Sequence, residues 1–125
     1  MTPVSWTSST LVFVRDVDAA IAFYVEQLGF TLNMRYAEED KALVAGASRG
    51  DGCSILLTCQ WPDKVGTTVL YTALEAREHE QVCAEFQAKG VALKEGWWGK
   101  PLVVVEDGDG NQLYFARPDE ASDGA

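Results

Sequence analysis

Positive charge is scarce in this chain: ten Lys and Arg stand against nineteen Asp and Glu, a formal net charge of −9. Nucleic-acid phosphates need a basic surface, so that class of partner is excluded. The same negative field favours a cationic ligand and also serves solubility. Long apolar runs are lacking as well. None approaches the roughly 20 residues of a membrane span, so a membrane partner is excluded, and residues 1–10 lack the basic-then-apolar order of a secretory leader. The expected location is cytoplasmic. Cysteines number only three, Cys53, Cys59 and Cys83. Cys53 and Cys59 are six apart in a predicted strand, about 20 Å, too far for a disulfide. With no CxxC spacing the three read as reduced core thiols. No Ser/His/Asp set, P-loop or dinucleotide fingerprint occurs. The one histidine, His79, falls on the predicted second helix and is expected on its solvated side. Cys53 and Cys59 have no histidine neighbour in sequence to activate a thiolate.

What is present is enough for a packed interior. Hydrophobic residues make up 47% of 125, which fits one domain or two small halves sharing a core. Leu11 to Val14 reads as a strand, followed by Asp16 or Asp18 as helix N-cap, and Ile21, Val25 and Leu28 fall at helical spacing before Gly29. Phe30 to Tyr36 and Ala42 to Ala47 read as a strand pair around the turn Ala37 to Lys41, and Asp51-Gly52 turns the chain into Cys53 to Cys59. Residues 60–66, with Pro62, form a linker. The pattern then restarts, with a strand over Thr67 to Leu74 and a helix over Arg77 to Lys89 that buries Val82, Cys83 and Phe86 and ends at Gly90. Val91 to Lys94, Leu102 to Val105 and Gln112 to Ala116 read as strands, the last two joined by the turn Asp107-Gly108-Asp109-Gly110-Asn111. Residues 118–125 are acidic and expected to fray. The order β-α-β-β-β thus occurs twice over about 55 residues each, a tandem repeat. Module 1 covers about 5–59 and module 2 about 67–117.

Three stretches carry a family likeness: Val14-Arg15-Asp16-Val17-Asp18 continuing through Ala22-Phe23-Tyr24 to Leu28-Gly29-Phe30; Trp98-Gly99, nine residues before Asp107; and Asp107 to Asn111. In this order, on a doubled βαβββ pattern, the chain resembles the vicinal-oxygen-chelate superfamily, which includes glyoxalase I, extradiol dioxygenases and bleomycin-resistance proteins. The resemblance implies an α+β fold, two βαβββ modules forming a cup-shaped mixed sheet with helices outside. Many members are homodimers, often with a pocket lined by both chains. Metal-using members draw ligands from four positions, which here carry Ser9, Thr68, a residue within Ser54 to Thr58, and Tyr114. None is His, Glu or Asp, and a divalent ion needs several such ligands converging. The usual metal is therefore expected to be absent, and no cofactor is implied.

Alternation along strands assigns facings. Ser9, Leu11 and Phe13 would face the cup, with Val12 and Val14 towards the helices. Gln112, Tyr114 and Ala116 would face the cup, with Leu113 and Phe115 in the core. Laying Glu75 on Asp16 turns Thr68, Leu70 and Thr72 to the cup, and a slip of one residue would exchange them for Tyr71. Trp97 and Trp98 cannot both enter one core, so one ring is left to stack on a planar or cationic ligand or to meet a partner chain. In related resistance proteins this Trp-Gly loop lies by the ligand cleft. Trp61 either borders the cup or anchors the linker, Arg35 and Tyr36 offer a polar contact and a stacking face, and Trp6 is expected to be a packing anchor. The candidate ligand-binding residues are Phe13, Arg35, Tyr36, Trp61, Trp97, Trp98 and Tyr114. These point to a metal-free small-molecule binding protein that sequesters an aromatic or cationic compound in a dimer cleft. The alternatives are a glyoxalase-like lyase or isomerase, or a dioxygenase-related enzyme, with a non-standard site, and a regulatory or partner-binding module.

Overall fold

The computed structural model describes residues 6–117. The expected fraying of 118–125, and the start of module 1 at residue 5, lie outside the described residues. Strand β1 (Thr10–Phe13) leads into helix α1 (Val17–Ala22), which continues as a π-helical turn over Phe23–Gln27. Strands β2 (Thr31–Glu38), β3 (Lys41–Arg49) and β4 (Cys53–Thr58) complete the first module. After a 3-10 turn at Pro62–Lys64 come β5 (Val69–Ala73), α2 (Ala76–Ala88), β6 (Lys94–Trp97), β7 (Pro101–Glu106) and β8 (Gln112–Ala116). Each module folds as a four-stranded mixed sheet, with orders β1-β4-β3-β2 and β5-β8-β7-β6. The repeat read from the sequence is therefore a structural one. Among the described residues no helix is long and apolar enough to cross a membrane.

Local chemistry sets the boundaries. Asp16 is the N-cap of α1, and its Oδ1 accepts from the Ala19 amide at 3.0 Å. The chain leaves that helix through a wide turn, with the Leu28 amide donating to the Phe23 carbonyl at 3.2 Å and Gly29 at φ +75°. The β2–β3 hairpin is tighter than expected, because Glu39 and Asp40 both take positive φ (51° and 68°) and let pairing run on to Glu38 and Lys41. Strand β6 lies at Lys94–Trp97 rather than at Val91 to Lys94. Val91 instead receives the turn that closes α2, its amide donating to the Phe86 carbonyl at 2.9 Å.

One core joins the two modules between sheets and helices. Val12, Val14, Tyr24, Ile55 and Leu57 from the first module share it with Phe86, Val105, Leu113 and Phe115 from the second. The turn Asp107 to Asn111 is the joint. Asp107 Oδ1 accepts from the amides of Asp109 and Asn111, both at 2.9 Å, and Oδ2 accepts from the Tyr24 hydroxyl and Asn111 Nδ2, also at 2.9 Å. Asn111, fully buried, also donates from Nδ2 to the Phe13 carbonyl and accepts the Thr68 amide on Oδ1. Burial and the Asp107 carboxylate push the Tyr24 phenol far above its ordinary pKa, so it remains a donor. A turn chosen for its positive-φ residues thus serves as a buried polar clasp between modules.

Two expectations about packing are corrected here. His79 is not solvated but 7% exposed, against Cys83, whose Sγ lies 3.8 Å from Nδ1, and its Nε2 has no hydrogen-bond partner among the described residues. Helix α2 begins at Ala76, one residue before the expected start, and packs its His79–Cys83–Phe86 side onto the sheet; Val82 and Cys83 are half-buried. Trp6 is no packing anchor: it is 93% exposed. The three cysteines are free and half-buried.

Candidate functional site

The face of each sheet turned away from the helices follows from the pairing register. In module 1, Leu11 pairs with Leu56 and Phe13 with Thr58, while their neighbours Val12 and Leu57 enter the core. Leu11 and Phe13 therefore face the cup, as alternation requires. On β8, Leu113 and Phe115 enter the core, while Tyr114 packs on the other face with Leu102, Val104 and Ala116.

Strand β5 takes the alternative register. Leu70 is buried in the core, whereas Val69 and Tyr71 are 50% and 49% exposed on the cup side, and Tyr71 pairs with Tyr114. The assignment of Thr68, Leu70 and Thr72 to the cup is thus corrected. Thr68 is buried, its hydroxyl donating to the Leu11 carbonyl at 2.8 Å, so it ties the entry of β5 to β1. The repeat alignment erred by one residue because both alternating sets of β5 contain apolar side chains.

The aromatic candidates form two groups. In the first, Phe13 and Trp61 meet edge to face with centroids 5.6 Å apart, and Lys64 Nζ lies 5.7 Å from the Phe13 centroid. In the second, Tyr71 meets Trp98 edge to face at 5.5 Å, beside half-buried Tyr114, whose hydroxyl donates to Gln112 Oε1 at 3.2 Å. The Gly66 amide donates to the Phe13 carbonyl, so the run from Gly66 to Tyr71 separates the groups by on the order of 15 Å. Tyr36 is also on the cup side, paired with Val44, and its hydroxyl donates to Glu38 at 2.8 Å. That carboxylate pushes its phenol pKa up. Lys94 on the edge strand β6 and Glu106 on its neighbour β7 pair at 3.4 Å.

Two candidates leave the cup. Arg35 pairs with core-facing Ala45 and makes a bidentate contact to Asp18 at 2.8 and 2.9 Å. It is the neighbour of Tyr36 on a strand, so the two must face opposite sides. Asp18 is held below the ordinary carboxylate pKa by hydrogen bonding to that guanidinium. Trp97 pairs with Pro101, while neighbouring Gly96 pairs with cup-facing Leu102. Trp97, 73% exposed, therefore projects from the helix side while Trp98 projects towards Tyr71. Tyr71, Val69 and Lys64 were not among the sequence candidates. The slip that would expose Tyr71 was legible, but nothing in the sequence selected it.

The family's metal does not fit these residues. Ser9 Oγ is hydrogen-bonded to Ser54 Oγ at 2.9 Å, Tyr114 presents a phenol, and the residues facing the cup across β4 are Ser54, Leu56 and Thr58. Among the described residues no three His, Cys, Asp or Glu groups converge in a way that could hold an ion. The arrangement offers stacking faces and hydroxyl hydrogen bonds. Among the described residues, further concavities include a cleft of about 620 Å³ at the seam between modules, which reaches Val69 and Tyr71, and an open groove of about 1080 Å³ between α2 and strands β6 and β7.

Residues 6–115 match the model of the Glyoxalase/Bleomycin resistance protein/Dioxygenase superfamily. The chain belongs to this superfamily. Among solved structures, this superfamily member is similar to TnmS3, an antibiotic binding protein from Streptomyces sp. CB03234, with 25% identity and a TM-score of 0.72, covering 95% of this chain and 100% of that one. It also shares its fold with a bleomycin-binding protein complexed with bleomycin (19% identity, TM-score 0.70, 92% of this chain and 100% of that one). Lactoylglutathione lyase from Agrobacterium tumefaciens is a third (18% identity, TM-score 0.70, 93% and 96%). These last two likenesses speak to fold alone. No curated protein matches the chain.

Proposed function

We propose that this protein binds a small aromatic or cationic compound on the cup face without a metal ion, as a homodimer whose second copy closes the cup. The observation that carries this reading is the Tyr71–Trp98 pair. Two large rings, 49% and 66% exposed, stand beside Tyr114 on a face with no metal-ligand set. A ring held edge-on to its neighbour leaves its own face open to a flat or cationic ligand. Tyr114 and Gln112 supply hydrogen bonds at the same place. The similarity to an antibiotic binding protein over nearly the whole chain supports the ligand class.

Titrating the protein with metal-free bleomycin and with a planar acridinium dye, while following tryptophan fluorescence, tests the proposal. We expect saturable quenching by one of them that survives a chelator. Trp98→Ala should weaken it at least tenfold, about 1.4 kcal/mol. Quenching by neither probe, or binding untouched by Trp98→Ala, would overturn the stacking role. Stoichiometric Zn, Ni, Mn or Fe that resists dialysis would overturn the metal-free part and favour an enzyme.

A further inference from the structure

The seam cleft reaches Val69 and Tyr71 along β5 but extends from there to Phe30, Val82, Phe86 and the start of α2, away from Trp98 and Tyr114, and its chemistry is different. Its floor is apolar, built from Leu70, Val82, Phe86 and Phe115, and contributed largely by module 2. Its rim carries three carboxylates, Asp51 from the β3–β4 turn and Glu75 and Glu78 at the start of α2. None of the three has an ion-pair partner among the described residues. Arg49, the cation in the lining, is committed elsewhere. Its Nη1 donates to the Leu28 carbonyl and to Glu85 Oε2, and its Nη2 donates to Glu85 Oε1 at 2.9 Å. The N-terminus of α2 offsets only about half a charge. A cleft of about 620 Å³ with an apolar floor and uncompensated negative charge at its rim remains. That volume lies in the range of small-molecule sites.

We infer that this cleft is a second binding site, for an organic monocation with an apolar body, its ammonium at the Asp51–Glu75–Glu78 rim and its body against Val82 and Phe86. An anion is repelled by the rim. A neutral compound gains only the floor. The inference does not depend on the cup reading, because Trp98 and Tyr114 do not line the cleft and the apolar floor and acidic rim lie beyond Tyr71, the one member of that group the cleft shares.

The test is amide NMR mapping with 2-phenylethylammonium, with 3-phenylpropionate as the matched anion. The ammonium compound should give saturable shifts at Gly52, Glu78 and Val82, and the anion none. Glu75→Gln with Glu78→Gln should weaken binding at least tenfold and flatten its salt dependence. Val82→Trp should block it by filling the cleft, with circular dichroism confirming that each variant is folded. Trp98→Ala should leave it unchanged. Equal binding of cation and anion, or full binding by the double Gln variant, would overturn the site. Loss with Trp98→Ala would instead move the cation to the cup, and so distinguishes this proposal from the one above.

Discussion

Asp107 carries more of the structure than any other polar side chain. One buried carboxylate accepts four hydrogen bonds, from two turn amides, Asn111 and Tyr24. Removing it strands several buried donors at once. Asp107→Ala should therefore destabilise the protein by about 3 kcal/mol or more, and Tyr24→Phe by about 1.5–3 kcal/mol, both read by urea denaturation. His79 sets a second, pH-linked term. Burial, reinforced by the charge of Arg117 and opposed by the Phe115 carbonyl, lowers its pKa from 6.5. Its other neighbour is Cys83, whose own pKa burial raises. Above pH 6.5 the imidazole is neutral in both folded and unfolded chains, and its contribution to stability is fully present. As pH falls below 6.5 the unfolded chain takes the proton first, so stability declines until the folded-state pKa is passed. Thermal melts between pH 7.5 and 5 should show this decline, and His79→Met should lack it. Glu85, lowered by hydrogen bonding to Arg49, acts only below its ordinary value of 4.5, so the two windows separate.

At the scale of elements, the linker into β5 runs against the β7–β8 turn, and Gly66 makes that approach feasible. Its φ is +81°, and a Cβ there would press on the carbonyl oxygen of Asp109. Gly66→Ala should cost about 1–3 kcal/mol in the same denaturation assay. The β-α-β-β-β order was legible because its signals are local: Asp16 before an apolar helical stripe, Gly29 and Gly90 at helix ends, and a turn rich in Asp and Gly. The limits of the reading are equally physical. Register on β5 depends on which apolar set the other module covers, and sequence spacing holds no record of that. The burial of His79 is decided by the rotation of α2 on its sheet. Two irregularities in the β2–β3 pairing, one at Asn33 of β2 and one at Leu43 of β3, break simple alternation. Even so, adjacent Arg35 and Tyr36 could never have shared a face.

At the scale of the molecule, the cup exposes Leu11, Met34, Val69 and Tyr71 along with Trp61 and Trp98. Large apolar groups clustered on one face mark an interaction surface. Sedimentation equilibrium should give a dimer, and a charge placed in the patch by Met34→Glu should shift it towards monomer. That Ser9 and Tyr114 carry no carboxylate or imidazole was legible from residue types alone, since no fold changes the side chain at a position. Which aromatics converge was not, because Trp61 reaches Phe13 from the linker and Trp98 reaches Tyr71 from the β6–β7 turn. The claim that these rings, rather than a metal, hold the ligand is tested most directly by amide and indole NMR during titration with metal-free bleomycin or the acridinium dye, in the presence of a chelator. Saturable shifts centred on Tyr71, Trp98 and Tyr114, extending to Phe13 and Trp61, are the predicted result. Shifts that require added metal, or that are confined to Trp97 and the helix side, would contradict it.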